Sequence, residues 1–212
     1  SFVRLFDGAE PFHGTNPISV AVPSGQDDPW LLDMATSSVP FNRVELHQSL
    51  QRDLPRGVAS DSDGGDTTDP FCAEMLAPLG GSDFGFKGAA LGGVAEIFSA
   101  VLTGMRLSPD IAPMAGPDFL RAREMGAFVI VMDPVAFVAA PLVEAGMTRY
   151  LALLRGSKPR AGQSVMAPGD REWARAAHRQ VTGIPLDPIT VTNFSQLAED
   201  YKVKLPWHTG PS

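Results

Sequence analysis

Glycine and proline recur along the whole chain, 21 and 19 of them in 212 residues, and they separate short apolar stretches instead of clustering. Both residues punctuate secondary structure, so a chain interrupted this often builds many short elements. No internal repeat accompanies them.

The pattern inside the elements changes along the chain. Gly14-Thr15-Asn16-Pro17 supplies a turn before Ile18-Ser19-Val20-Ala21-Val22, whose alternation predicts a strand, and Trp30-Leu31-Leu32-Asp33-Met34 predicts a second. Leu54 to Pro70 carries Asp61, Asp63, Asp66 and Asp69 among Gly, Ser and Thr, the composition of a solvated loop or hairpin tip. From Ala89 the period becomes helical: Leu91, Val94, Ala95, Phe98, Val101 and Leu102 recur at helical spacing, with Gly104 placed to end a well-buried helix. Gly126 to Met132 is a continuous apolar run rich in β-branched residues, which predicts a central strand covered on both faces. Asp133-Pro134 has helix-starting chemistry. Further helices are expected over Leu142 to Leu154 with a stop at Gly156, from Asp170 through Val181 to Gly183, and from Thr192 to Tyr201. Strands and helices mix without the regular alternation of a doubly wound sheet. An α/β fold of α+β-like character follows: helices layered around a mixed, largely antiparallel sheet.

Hydrophobic residues make up 44% of the chain and charged residues 19%, which predicts a folded core and excludes a disordered polypeptide. The net charge of -7 and the lack of a dense basic cluster argue against nucleic acid and anionic membrane as partners, leaving small molecules. The longest charge-free run, Pro11 to Gln26, falls short of the about 20 apolar residues a bilayer span needs. A single cysteine, Cys72, excludes a disulfide framework and a multi-cysteine metal site, which suits a reducing, cytoplasmic location. The opening Ser1-Phe2-Val3-Arg4 lacks an initiator Met and an apolar targeting core, so processing or design is expected to have set this N-terminus.

Few motifs carry chemistry by themselves. No G-x-G-x-x-G stands between a strand and a helix, so the common dinucleotide fold is not indicated. Gly81-Ser82-Asp83-Phe84-Gly85-Phe86-Lys87-Gly88 has the wrong glycine-to-lysine spacing for a nucleoside triphosphatase. A lysine in a Gly-rich turn at the start of a helix nevertheless has the ingredients of an anion site, so Lys87 is either a phosphate contact or an ordinary solvated lysine. Asp61-Ser62-Asp63-Gly64-Gly65-Asp66 fails as a calcium loop, because Cys72 stands where the bidentate Glu belongs, and reads as an acidic turn. His13, His47, His178 and His208 show no paired ligand spacing, and no G-x-S-x-G raises a serine nucleophile. No metal site is expected.

Taken in order, His13-Gly14-Thr15-Asn16-Pro17, Leu32-Asp33-Met34-Ala35-Thr36-Ser37, Thr67-Thr68-Asp69-Pro70, Phe86-Lys87-Gly88 with Glu96 and Leu102-Thr103-Gly104, and Pro168-Gly169-Asp170 resemble one family. It is the malate/L-lactate dehydrogenase family, which includes sulfolactate, ureidoglycolate and diketogulonate dehydrogenases and reductases of piperideine- and pyrroline-2-carboxylate. The resemblance implies a non-Rossmann fold binding NAD or NADP. It also implies a nicotinamide-nucleotide domain over residues 1–165 and a C-terminal helical segment, 166–212, packed on it or on an N-terminal domain outside this chain. A homodimer, or assembly with a companion N-terminal chain, is expected.

Carried over residue by residue, Leu32, Asp33, Met34 and Ala35 match the family's nicotinamide-nucleotide segment, Phe86 and Lys87 its aromatic-lysine pair, and Gly169, Asp170 and Arg171 its cofactor loop. A 2'-phosphate would want an arginine such as Arg43 or Arg171. The proton-donating histidine and the substrate-gripping arginine belong to a part of the family's sequence that this chain lacks. Glu45 matches an acidic residue of some members, or is a solvent-exposed strand-end Glu. The activity implied is NAD(P)-dependent interconversion of a small 2-oxo or cyclic 2-imino acid with its 2-hydroxy or amino acid. The alternative is a non-catalytic cofactor-binding or interaction subunit, or a processed fragment.

Overall fold

The computed structural model describes residues 2–25, 27–114, 116–118, 120–205 and 207. Seven strands are present among them: β1 (Val3–Arg4), β2 (Pro11–His13), β3 (Ile18–Ser24), β4 (Asp27–Met34), β5 (Ala59–Ser60), β6 (Asp66–Thr67) and β7 (Met75–Leu76). Five form one sheet in the order β2-β1-β7-β5-β6, in which only the β1–β7 pair is parallel. β3 and β4 form a separate antiparallel hairpin, in register from Ile18 opposite Met34 to Val22 opposite Trp30. The sheet is thus mixed and largely antiparallel, as the patterning predicts.

Its core is small. Val3, Leu54, Ala59 and Leu76 meet Val44 of helix α1 (Phe41–Ser49), with Val39, Phe41 and Val58 packed around them. Phe2 stacks on Phe41 with ring centroids 5.1 Å apart. The acidic stretch from Leu54 to Pro70 is therefore only partly the solvated loop it resembles. Leu54, Ala59 and Ser60 are buried, and the exposed part is the turn where Asp61 Oδ1 accepts the N–H groups of Asp63 and Gly65. That bonding closes an Asx-type turn.

Helix α2 (Gly81–Glu96) corrects two expectations. It starts eight residues before Ala89, so Lys87 lies within the helix and not in a Gly-rich turn ahead of it. Its buried residues are Gly85, Gly88, Gly92 and Glu96, one face at helical spacing. A Cβ at Gly88 would come within 2.3 Å of the Leu79 nitrogen, and one at Gly85 within 2.8 Å of Pro78. The glycines let two backbones touch. The apolar residues that made the segment look well buried face outward: Leu91, Val94, Val101 and Leu102 are exposed.

α2 continues into a π-helical turn, Ile97–Val101. Together they form a 21-residue helix that is long and apolar enough to cross a bilayer by length and composition, which the charge-free-run criterion missed. Its glycine face against Pro78 and Leu79 is that of a helix packed on protein.

The run Gly126 to Met132 is not a strand. It is irregular, with Val129 81% and Val131 89% exposed. A continuous β-branched run reports a chain suited to burial on both faces, but a strand exists only where an edge is free to pair. The rest agrees more closely. Asp133 Oδ1 accepts the Val135 N–H at a short 3-10 turn, Pro134–Ala136. Helix α3 (Ala140–Arg155) ends at Gly156, and α4 (Asp170–Thr182) ends at Gly183. α5 (Pro188–Tyr201) starts four residues before Thr192, because Asp187 caps it by accepting the Thr190 N–H.

Candidate functional site

The hairpin strand β4 is the spine of the candidate site, and two distant parts of the chain are bound to its middle and just beyond its C-terminal end. At mid-strand, Leu31 donates its N–H to the Pro168 carbonyl at 3.1 Å. The Trp173 indole donates to the Pro29 carbonyl, also at 3.1 Å. Between them Gly169 holds φ +97, and a Cβ there would meet Trp173 Nε1 at 2.9 Å and Leu31 Cβ at 3.2 Å. Only a bare backbone fits that turn. Asp170 shapes it from the other side. Its carboxylate accepts two bonds from Arg155, at 2.7 and 3.1 Å, and the Ala167 N–H at 2.8 Å. The Arg155 bond, with the Ala167 N–H and the Arg155 charge, holds the Asp170 carboxyl below the usual carboxylate range.

Two residues past the C-terminal end of β4, Thr36 is buried, and its carbonyl accepts the Leu79 N–H at 2.9 Å. The Leu79 carbonyl accepts the Gly88 N–H of α2 at 3.1 Å. At a rise of about 3.3 Å per residue, Leu31 and Thr36 lie roughly 16 Å apart along the chain.

The sequence-matched residues fall into these two groups. Leu32, Met34 and Ala35 are half-buried along β4 and its end, and Asp33 is exposed opposite Ser19. Gly169 and Asp170 sit beside Leu31, and Arg171 is exposed at the start of α4 without an ion-pair partner among the described residues. Lys87 is not brought into contact with either group. It projects from the exposed face of α2, its Nζ 5.5 Å from the Phe84 ring and 5.8 Å from the Phe86 ring. Phe86 in turn packs edge-on against Phe6. Glu45 is exposed on α1, a helix and not a strand end. Arg43 is exposed on the same helix.

One described histidine, His178, lines an open cleft on α4, beside Arg171, Arg175 and Met166. His13 is buried, and burial pushes its pKa down against the opposing pull of the Glu96 carboxylate. His47 bonds the Asp53 carbonyl through Nδ1, and His178 is exposed on α4. His208 lies outside the described residues. No group of three or more His, Cys, Asp or Glu side chains could hold a metal ion among the described residues.

Sequence reasoning missed Trp173 and Arg155, the two side chains that lock the Pro168–Asp170 turn onto β4 and α3. A signal for Trp173 is present: an aromatic one turn after a glycine that precedes a helix can fold back over it. Arg155 carries none, because its partner is a later residue across a loop.

Residues 1–195 match the malate/L-lactate dehydrogenase family. The chain belongs to that family. A Delta(1)-pyrroline-2-carboxylate reductase of Agrobacterium fabrum is 30% identical over 94% of this chain and 56% of its own length. A malate/(S)-sulfolactate dehydrogenase of Methanothermus fervidus is 27% identical over 97% of this chain and 58% of its own. The crystal structure of a malate dehydrogenase from Entamoeba histolytica superposes with a TM-score of 0.86 at 26% identity, covering 98% of this chain and 60% of that one. This malate/L-lactate dehydrogenase family chain thus spans somewhat more than half the length of the relatives it matches.

Proposed function

We propose that this chain holds the cofactor of an NAD(P)-dependent oxidoreductase that interconverts a small 2-oxo or cyclic 2-imino acid and its 2-hydroxy or amino acid. The observation that carries this reading is the junction of β4 with the Pro168–Asp170 turn, through Leu31 to Pro168 and Trp173 to Pro29. Two stretches that resemble cofactor segments, far apart in sequence, share one surface. The names of the relatives, a reductase of a cyclic imino acid and dehydrogenases of malate and sulfolactate, support the substrate class.

The donor set suits a dinucleotide. Gly169 offers bare backbone, Asp33 an exposed carboxylate without an ion-pair partner among the described residues for a ribose hydroxyl, and Arg171 and Lys87 cations for phosphate. Asp170 keeps the turn in shape instead, its oxygens taken by Arg155 and Ala167. When bound, the nicotinamide supplies the hydride chemistry. This chain's part is to hold and orient it, and the proton for the substrate oxygen or nitrogen would come from a group outside the described residues. Arg171 beside Gly169 favours NADP over NAD, because a 2'-phosphate needs such a cation. Residues 1–165 are read as the nucleotide domain and 166–212 as a helical segment packed on it or on an N-terminal domain outside this chain, in a cytoplasmic enzyme assembled as a dimer or with a companion segment. The exposed apolar run from Phe128 to Met132 supports such an assembly.

Titration of the chain with NADH and with NADPH, followed by energy transfer from tryptophan to the reduced nicotinamide, tests the reading. Saturable binding is expected, tighter for NADPH, and weakened by Arg171→Ala more for NADPH than for NADH. Absence of saturation with both would refute it.

A further inference from the structure

Several buried polar groups meet where α2 passes into its π-helical turn. The Glu96 carboxylate is 8% exposed and has no ion-pair partner among the described residues. Three donors satisfy it instead: Asn16 Nδ2 at 2.8 Å, Ser108 Oγ at 2.6 Å, and the Ser108 backbone N–H. Burial would raise its pKa, but the hydrogen bonds from Ser108 and Asn16 and the nearby His13 reverse that and leave it below the usual range.

Asn16 gives a second Nδ2 bond to the Gly92 carbonyl at 3.0 Å and holds a left-handed backbone, φ 34. The turn it makes grips Thr36. The Thr36 hydroxyl donates toward the carbonyls of Thr15 and Asn16, each at 3.1 Å, and its N–H donates to Thr15 at 2.8 Å. Thr36 and Gly88 are both bonded to Leu79, at 2.9 and 3.1 Å. Ala35 and Lys87 each stand one residue from that shared anchor. Gly92 seats the helix close by: a Cβ there would come 3.1 Å from His13 Nδ1 and 3.2 Å from Thr36 Oγ1.

A buried carboxylate without a cation is costly, and an apolar contact would pack the helix as well. What a fully bonded polar network adds is one fixed geometry. A π turn directly after Glu96 is a further departure from regular helix of the kind found at functional sites. Resting on the cofactor reading above, we propose that Glu96 is a positioning residue of the dinucleotide site. It holds Asn16, whose turn clamps Thr36, and so fixes the Asp33 to Ala35 stretch relative to α2 and Lys87. Glu96 itself touches neither cofactor nor substrate.

The test compares the dissociation constant for NADPH, or for NADH if the unaltered chain binds that more tightly, and the melting temperature of the unaltered chain with those of Glu96→Gln, Asn16→Gly and the double variant. Gln turns an N–H group toward donors, and Gly keeps the left-handed backbone but drops the tether. Val44→Ala, in the sheet core, is the control for stability alone. The proposal expects each single variant to weaken NADPH on the order of tenfold, the scale of losing a buried hydrogen bond to a charged group. It expects the double variant to lose no more than the worse single, and Val44→Ala to melt earlier with an unchanged dissociation constant. Glu96→Gln binding as tightly as the unaltered chain, or additive losses in the double variant, would overturn the positioning role and leave the cofactor reading standing. No binding of NADPH or NADH by the unaltered chain would instead overturn the cofactor reading and the positioning role with it.

Discussion

The Trp173 indole donates its N–H to the carbonyl of Pro29, 144 residues earlier in the chain, at 3.1 Å. That bond, with Leu31 to Pro168, lays a C-terminal turn along a strand near the N-terminus. The first prediction concerns the residue beneath the indole. Gly169→Ala forces a Cβ into Trp173 and Leu31 at φ +97. Its cost is about 1–3 kcal/mol. Denaturant melts should show the loss, and tryptophan emission should shift to the red as the indole leaves Pro29. An unchanged spectrum and midpoint would mean the turn yields without strain.

Two glycines of α2 should respond oppositely to the same change. Gly88→Ala places a Cβ within 2.3 Å of the Leu79 backbone, so the helix must lift off its seat. A loss of about 3 kcal/mol or more is expected. Gly93 has open space around it, and Gly93→Ala should stabilise by up to about 1 kcal/mol through helix propensity. Thermal melts of the pair check both signs.

Much of the fold is legible in the sequence because its signals are local. Alternation over Ile18 to Val22 and Trp30 to Met34 marks the hairpin, and Gly156 and Gly183 mark helix ends. Other parts depend on partners that a sequence does not name. The Gly81 to Gly88 stretch reads as a Gly-rich turn ahead of a helix, yet its glycines at 85 and 88 serve close packing against Pro78 and Leu79. Helix α1 buries little besides Val44, too weak a pattern to announce itself. Gly126 to Met132 shows what the chain favours and not whether an edge is there to meet it. In the site, the order of motifs is readable, whereas the Arg155 to Asp170 pair and the Glu96 network appear only in three dimensions.

Acid should destabilise the chain through three groups acting in one direction. Asp170 and Glu96 have folded pKa values below their ordinary ones, so their contribution is present above the unfolded value and is lost as pH falls through the folded value. His13 is also depressed, by burial, so the unfolded chain takes up its proton first and stability declines from the ordinary histidine range downward. Urea melts between about pH 8 and about pH 2 should show stability falling with pH. His13→Gln should flatten the upper part of that curve and Asp170→Asn the lower. A curve that rises toward acid would contradict this assignment.

Exposed apolar surface predicts association. Val129, Ile130, Val131 and Met132 are all well exposed. Light scattering should detect self-association at tens of micromolar or a bound companion chain, and Val129→Lys with Val131→Lys should reduce self-association. A monodisperse monomer indifferent to those substitutions would show that this surface has no partner.

Hydrogen exchange read peptide by peptide, with and without saturating NADPH, bears most directly on whether β4 and the Pro168–Asp170 turn form one nucleotide surface. The account predicts joint protection of residues 29–36 and 167–173, appearing at the same cofactor concentration. Protection confined to one stretch, or to neither while NADPH is bound elsewhere, would contradict it.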